Sequence, residues 1–295
     1  MKDNVLVSVG VLTYNSEKTV LETLESIKNQ TYYNIELIVS DDASKDNTVE
    51  VCKEWLAQNS NRFVRTELLT VNKNTGTSAN AKRRDLACKG DYIKGIAGDD
   101  LLEPDCIQIN LDNIGDADLA VSDMTYFDAN KVLSLPDNSK LIKALTVLPP
   151  EKRIKLYCRT FTFFNPPSIF ICKSLHDKVG YFDENTGILE DTPYFLRIFE
   201  SESKLVYIPQ KTVRYRNGGI SHDPKRQMQV FRQSEQLFYN LARPRLTIFN
   251  PVDLVIIIER WLKHYLMDFK FLRRCFNSRY NPFQIFLRKF ATSLL

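Results

Sequence analysis

The chain has 295 residues, of which 43% are hydrophobic and 26% charged, and its formal net charge is +4. This composition is that of an ordinary globular protein, long enough for one large domain or two smaller ones. The small net charge gives no argument for nucleic acid, and we expect no nucleic-acid partner.

The six cysteines form no CxxC pair, which favours reduced thiols in a cytosolic protein. The first ten residues lack the organisation of a signal peptide, and no apolar run approaches the roughly 18 residues of a membrane-spanning helix. We therefore expect a cytoplasmic chain that is not integral to a membrane.

The first hundred residues alternate short apolar segments with amphipathic ones. Strands are predicted at residues 5–11, 35–40, within 64–71 and at 91–97, with helices between them. The first of these helices is predicted to begin at an N-cap, Ser16. Strands and helices that alternate at this short spacing indicate a parallel sheet covered by helices on both faces.

Small polar or acidic residues follow three of these strands. They are Thr13 and Asn15, Asp41 and Asp42, and Asp99 and Asp100. Ligands of such sheets bind beyond the carboxyl ends of the strands, so we expect the three loops to form one site. Crowded carboxylates need a compensating partner, most simply a divalent cation. Solvated turns are the alternative interpretation, and two acidic pairs in one sheet argue against it.

The composition changes after a further predicted strand at residues 117–124. Helices are predicted at 151–159 and 193–199, and residues 161–171 are aromatic with an Asn-Pro-Pro interruption. Residues 205–209 and 212–216 are interpreted as a pair of strands. From residue 225 the pattern predicts helix to the end of the chain.

Motifs that are missing exclude several enzyme classes. The chain has no GxGxxG after the first strand, no GxxxxGK[ST] and no GxSxG. Its three scattered histidines offer no zinc set. What remains is a set of carboxylates at strand ends with basic residues at Lys82, Arg83 and Arg84, a combination that suits a hard cation bridging a diphosphate.

The order of the motifs resembles that of the family 2 glycosyltransferases. The matching pieces include VSVGVLTYN, IVSDDASKDNT, IKGIAGDD, VGYFDE and LEDTPYFLRI, spread over about residues 5–216. The resemblance implies an α/β GT-A fold, a Rossmann-like mixed sheet flanked by helices. It also implies a catalytic domain over 1–223, with a nucleotide-sugar half (1–124) and an acceptor half (125–223). A helical, basic and aromatic extension would follow at 224–295.

The resemblance also implies a role for each matching residue. Thr13, Asn15 and Asp42 would line the nucleotide pocket, with Asp41 in support. Asp99 would contact the ribose, Asp100 would bind Mg²⁺ or Mn²⁺ on the diphosphate, and Asp191 would be the catalytic base. The remaining substrate-binding candidates are the cations Lys82 and Arg83 and the carboxylate Glu190.

Two positions depart from the family pattern, and two candidate residues could instead have purely structural roles. Ala97 stands where many members carry a further Asp, so metal binding would rest chiefly on Asp100. The Arg-Asn segment of the family is replaced by residues 82–85, which leaves open which cation meets the diphosphate. Asp191 could instead be a helix N-cap before Pro193, and Glu190 could simply face solvent.

The sequence therefore predicts an inverting, metal-dependent glycosyltransferase of surface-polysaccharide biosynthesis. It would use a nucleotide-sugar donor, with UDP-sugars favoured, and a glycan or lipid-linked acceptor. A sugar-phosphate nucleotidyltransferase and an inactive scaffold subunit are the alternatives. Residues 259–295 carry eight basic and two acidic residues among many aromatics. This tail suits an anionic membrane surface, packing on the core, or a homo-oligomer interface.

Overall fold

The computed structural model describes residues 4–128, 131–133, 139–160, 164–186, 189, 191–217 and 227–266. Its first part alternates strands and helices as the sequence predicts. The elements are β1 (Val7–Thr13), α1 (Val20–Lys28), β2 (Ile35–Asp41), α2 (Thr48–Asn59), β3 (Arg65–Thr70), α3 (Thr77–Ala87) and β4 (Tyr92–Ala97). These four strands are parallel, in the order β3-β2-β1-β4.

The second part extends the same sheet. Its strands are β5 (Leu101–Leu102), β6 (Leu119–Asp128), β7 (Lys131–Leu133), β8 (Ile169–Cys172) and β9 (Leu205–Arg216). Its helices are α4 (Cys106–Ile114), α5 (Ser139–Val147), α6 (Pro150–Thr160), α7 (Lys173–Val179) and α8 (Asp191–Glu200). The order of the described strands is β3-β2-β1-β4-β8-β6-β9-β5, and β7 pairs with β6. One mixed sheet therefore runs through both predicted halves, 1–124 and 125–223, and that division stays a prediction.

Two hydrophobic layers cover the sheet. On one face α1, α2 and α4 pack through residues such as Leu24, Trp55 and Ile107. On the other face α3 and α5 to α8 pack through residues such as Leu145 and Phe199. Burying strands on both faces removes apolar surface at roughly 25 cal/mol per Å², which explains their nearly continuous apolar sequences.

Several local predictions were wrong, each for a local reason. Helix α1 begins at Val20, four residues after the predicted N-cap, and the Ser16 carbonyl accepts from the N–H groups of Thr19 and Val20 in the turn that precedes it. The expected pair of late strands is one strand, β9. Its register against β6 jumps from Ser122–Ile208 to Asp123–Lys211. This bulge accommodates Pro209, which has no N–H to donate.

The C-terminal region is not one uninterrupted helix within its described part. Helix α9 (Gln227–Leu237) continues into a π-helical turn at Phe238–Ala242, and α10 (Pro251–Leu266) follows after a break. Two prolines, Pro244 and Pro251, bound this break. Within residues 4–266 as described, no helix is long and apolar enough to cross a membrane.

Candidate functional site

Strands β1 and β2 end side by side and bring the first two polar loops together. Thr13 and Asp41 are register partners, and the Thr13 hydroxyl donates to Asp41 Oδ2 at 2.9 Å. The backbone N–H of Ser44 donates to Asp41 Oδ1 at 2.8 Å. Both oxygens of the buried Asp41 are therefore engaged within the protein, and its supporting role stays a prediction.

Asn15 links the same two loops from the outside. Its backbone N–H donates to Ser44 Oγ at 2.8 Å, and its Oδ1 accepts from the N–H of Lys45 at 2.8 Å. The residue is exposed and has φ +52°, in the left-handed region that asparagine tolerates better than most residues. Asn15 therefore shapes the rim of the site.

Asp42 is buried and fastens the loop after β3. Its carboxylate accepts from the N–H of Thr75 at 3.0 Å and from the N–H of Gly76 at 2.8 Å. Arg83 Nη2 lies 3.3 Å from Asp42 Oδ1. Gly76 has φ +92°, a conformation that favours glycine, so the sequence NTGT forms this anion-holding turn.

The three consecutive cations after this loop make different contacts. Lys82 pairs with Glu184 at 2.7 Å on the surface and does not line the central cavity. Arg83 ties strand β2 to helix α3 through Ser40 Oγ at 3.1 Å and Asn80 Oδ1 at 2.8 Å. Arg84 is 6% exposed and does line the cavity. Periodicity could not separate these three consecutive cations.

Asp99 and Asp100 follow β4 at the same edge of the sheet. Asp100 is 1% exposed, and burial together with the neighbouring Asp99 raises its pKa to about 8. Burial also raises the pKa of Asp99. Arg216, at the end of β9, donates its backbone N–H to Asp100 Oδ1 at 2.8 Å and its Nε–H to the Asp99 carbonyl at 2.8 Å.

The acidic pair fits a divalent cation when the substrate completes the coordination shell. The raised pKa values of these two adjacent carboxyl groups show that the protein only partly compensates their charged forms. The described residues contain no group of three or more His, Cys, Asp or Glu side chains able to hold a metal. A cation here would therefore depend on oxygens from a ligand such as a diphosphate.

Asp191 is the first residue of α8 and lines the same cavity as Asp99 and Asp100. The cavity measures about 360 Å³. Burial raises the pKa of Asp191 to about 6, against weaker hydrogen bonds from Thr192. A carboxylate with that pKa is charged at neutral pH and basic enough to accept a proton. The neighbouring candidate, Glu190, lies outside the described residues.

Residues beyond those given individual roles above also contribute to the site. Arg216 contacts the acidic pair, Thr75 and Gly76 hold Asp42, and Arg84 lies on the cavity wall. Lys94 is fully buried on β4 and donates to the Pro167 carbonyl at 2.6 Å, which fixes the turn that lines the cavity at residues 165–167. A lysine inside an apolar strand was a visible signal of such a buried contact.

Comparisons with known proteins identify the family and the fold of the chain. The model of the family described as Glycosyl transferase family 2 matches residues 8–180, more than half of the chain. The glycosyltransferase GlyG of Streptococcus pneumoniae serotype 4 is 28% identical over 219 residues, covering 72% of this chain and 70% of GlyG.

Solved structures share the fold at low sequence identity. S. aureus TarS 1–349 in complex with UDP-GlcNAc has a TM-score of 0.60 at 18% identity, covering 81% of this chain and 65% of that one. The mannosyltransferase PcManGT from Pyrobaculum calidifontis, in complex with GDP-Man and Mn²⁺, has a TM-score of 0.59 at 15% identity, covering 98% and 86%. The predicted GT-A fold is confirmed, and the chain belongs to glycosyl transferase family 2.

Proposed function

We propose that this glycosyltransferase moves a sugar from a nucleoside-diphosphate donor to a hydroxyl of a glycan or lipid-linked acceptor, with inversion at the anomeric carbon. The observation that carries the proposal is the single cavity lined by Asp99, Asp100 and Asp191. It offers an acidic pair suited to a cation and diphosphate, and a separate carboxylate suited to a proton.

Asp191 is the proposed base. As the acceptor hydroxyl attacks the anomeric carbon, its proton passes to the Asp191 carboxylate while the bond to the diphosphate breaks on the opposite side of the carbon. A single displacement of this kind inverts the centre. The pKa of about 6 keeps Asp191 ionised at neutral pH, ready to accept the proton.

The nucleotide would bind at the edge built by Thr13, Asn15, Asp41 and Asp42, with Asp99 near the ribose. Asp100 would hold Mg²⁺ or Mn²⁺, which when bound supplies positive charge against the leaving diphosphate. Arg83 supports this edge through Asp42, whereas the surface pair with Glu184 leaves Lys82 a weaker candidate. UDP is the favoured nucleotide, in line with the UDP-GlcNAc complex of TarS.

The test is a screen of UDP- and GDP-sugars for metal-dependent hydrolysis by the full chain, which identifies a donor without knowing the acceptor. Release of UDP or GDP from one sugar, abolished by EDTA, is the expected result. Formation of pyrophosphate from a sugar phosphate and a nucleoside triphosphate would instead support a nucleotidyltransferase. Absence of any nucleotide binding would support an inactive scaffold.

We also infer a role in surface-polysaccharide assembly at the inner face of the plasma membrane. Helix α10 exposes an apolar stripe of Leu254, Val255, Ile258, Trp261, Leu262 and Tyr265, while its acids Asp253 and Glu259 are buried. The basic sequence that follows favours anionic lipids.

Co-sedimentation with phosphatidylglycerol and phosphatidylcholine vesicles tests the membrane contact. Ile258→Glu should weaken binding to the anionic vesicles, whereas Ile248→Glu, an exposed position before α10, is the matched control. Equal sedimentation of both variants with wild type would refute the membrane contact. A shift from dimer to monomer by Ile258→Glu in light scattering would assign the stripe to a homo-oligomer instead.

A further inference from the structure

Two glycines face each other in the centre of the sheet and leave a trench across β1 and β4. Gly10 and Gly95 are register partners in these neighbouring strands. A Cβ atom on Gly10 would lie 2.4 Å from Arg84 Cδ, and one on Gly95 would lie 2.9 Å from Arg84 Nη1. The Arg84 side chain therefore lies flat on the sheet, with its guanidinium over Gly95.

The guanidinium of Arg84 has one ion-pair partner among the described residues. Nε and Nη2 both approach Oδ1 of the adjacent Asp85, at 2.7 and 2.6 Å. A guanidinium has five N–H donors, and its second edge, formed by Nη1 and Nη2, has no acceptor in the described part of the chain. That edge lies over Gly95, and Arg84 and Gly95 both line the central cavity.

A buried cluster holds this arginine in place. Asp85 is fully buried, and its Oδ2 lies 3.8 Å from His176 Nε2. His176 Nδ1 and the Tyr194 hydroxyl are 3.0 Å apart, and burial lowers the pKa of His176, which favours its neutral form. With His176 neutral, Asp85 is the one counter-charge that these contacts supply to Arg84.

The position of Arg84 separates it from the proposed diphosphate site. Gly95 lies two residues before the end of β4, about 7 Å along the strand, and Asp99 and Asp100 follow beyond that end. The cavity wall also includes the apolar residues Ile93, Ile169 and Ile171. Apolar walls strengthen hydrogen bonds between charged groups.

We propose that Arg84 determines specificity at the inner end of the cavity by binding an oxyanion, a carboxylate or a phosphate, carried by the donor sugar or by the acceptor. The free Nη1/Nη2 edge matches two oxygens of such a group in the bidentate geometry typical of arginine. The proposal rests on the proposed function, since it assumes that sugar substrates occupy this cavity. Its place over the interior of β4, away from the strand end that carries the acidic pair, assigns the anion to a substituent and not to the nucleoside diphosphate.

Two binding experiments on the full chain with Mg²⁺ distinguish the sources of the anion. The donor arm compares UDP-glucuronic acid with UDP-glucose by calorimetry. The acceptor arm compares glucose 6-phosphate with glucose on protein saturated with UDP. In one arm the acidic probe should bind at least about tenfold more tightly, as expected of charge-assisted hydrogen bonds.

The double variant Arg84→Gln/Asp85→Asn removes both charges of the buried pair and keeps similar side-chain volumes. It should reduce the acid preference to within about twofold, an effect under 0.5 kcal/mol. Arg84→Lys keeps the charge but not the paired N–H donors of the planar guanidinium, and it should also lose most of the acid preference. Lys89→Gln removes an exposed cation near the end of α3 and should retain it.

The affinity for UDP alone separates this proposal from the proposed function. All variants should bind UDP as wild type does, which also shows that they are folded. Failure of wild type to bind UDP with Mg²⁺ would contradict the proposed function. Normal UDP binding with no acid preference in either arm, or an acid preference that survives in both Arg84 variants, would overturn the role of Arg84.

Discussion

Replacing Asp191 by asparagine tests the proposed base directly. The amide keeps the shape of the side chain at the start of α8 but cannot accept the proton of the acceptor hydroxyl. General-base catalysis typically contributes about 10²- to 10⁴-fold, so kcat for transfer should fall by that factor. Donor affinity should change by less than about twofold, because the nucleotide edge is formed by other residues.

The pH dependence of the wild-type transfer rate tests the same assignment independently. Burial raises the pKa of Asp191 to about 6, and the working form is the carboxylate, so activity is lost as pH falls through that value. With this pKa, about nine-tenths of Asp191 is ionised at pH 7 and about one-tenth at pH 5. The step should therefore slow by about tenfold between pH 7 and pH 5. An ordinary Asp with a pKa near 3.9 would lose only about a tenth of its activity over this range.

Single-turnover transfer at saturating donor and metal is the appropriate assay, since it isolates the chemical step from donor binding. Asp112→Asn, at an exposed position of α4, is the matched control and should retain the wild-type profile. Near-normal transfer by Asp191→Asn, or a rate that is flat between pH 7 and pH 5, would refute the assignment of Asp191 as the base.

Three further changes probe the surrounding structure. Asp100→Asn should weaken Mg²⁺-dependent UDP binding by more than about tenfold, measured by calorimetry; unchanged binding would remove Asp100 from the metal site. Gly10→Ala should lower the free energy of unfolding by about 1–3 kcal/mol in urea denaturation, because its Cβ would meet Arg84 Cδ at 2.4 Å. In an Arg84→Ala background the same change should lower the free energy of unfolding by less than half as much. Equal losses in the two backgrounds would contradict the packing of Arg84 against Gly10. Lys94→Ala should destabilise the protein by about 2–4 kcal/mol, since it leaves a cavity and deprives the Pro167 carbonyl of its donor; a loss below about 1 kcal/mol would contradict this contact.

Local pattern was sufficient for the first four strands of the fold. Strands β1, β2 and β4 are largely buried on both faces, so their sequences are mostly apolar and stand out between amphipathic helices. The carboxyl ends of parallel strands meet at one edge. The residues after those strands could therefore be assigned to one site before any coordinates were known.

The second half was harder because its elements carry weaker local signals. Strand β8 has four residues and follows two prolines, yet it pairs antiparallel with both β4 and β6 in the middle of the sheet. Helices α5 and α7 are short, with nine and seven residues. Such elements are stabilised by tertiary packing more than by their own propensity.

The sequence by itself determined which carboxylates stand at strand ends and which family the chain resembles, since both depend on residues close together in the chain. Only the tertiary structure decided how the three cations after β3 are used. Lys82 pairs at the surface, Arg83 supports Asp42, and Arg84 enters the cavity. The physical reason is that each direction is set by a partner distant in sequence. Arg84 can lie across the sheet because Gly10 and Gly95, 85 positions apart, leave it room.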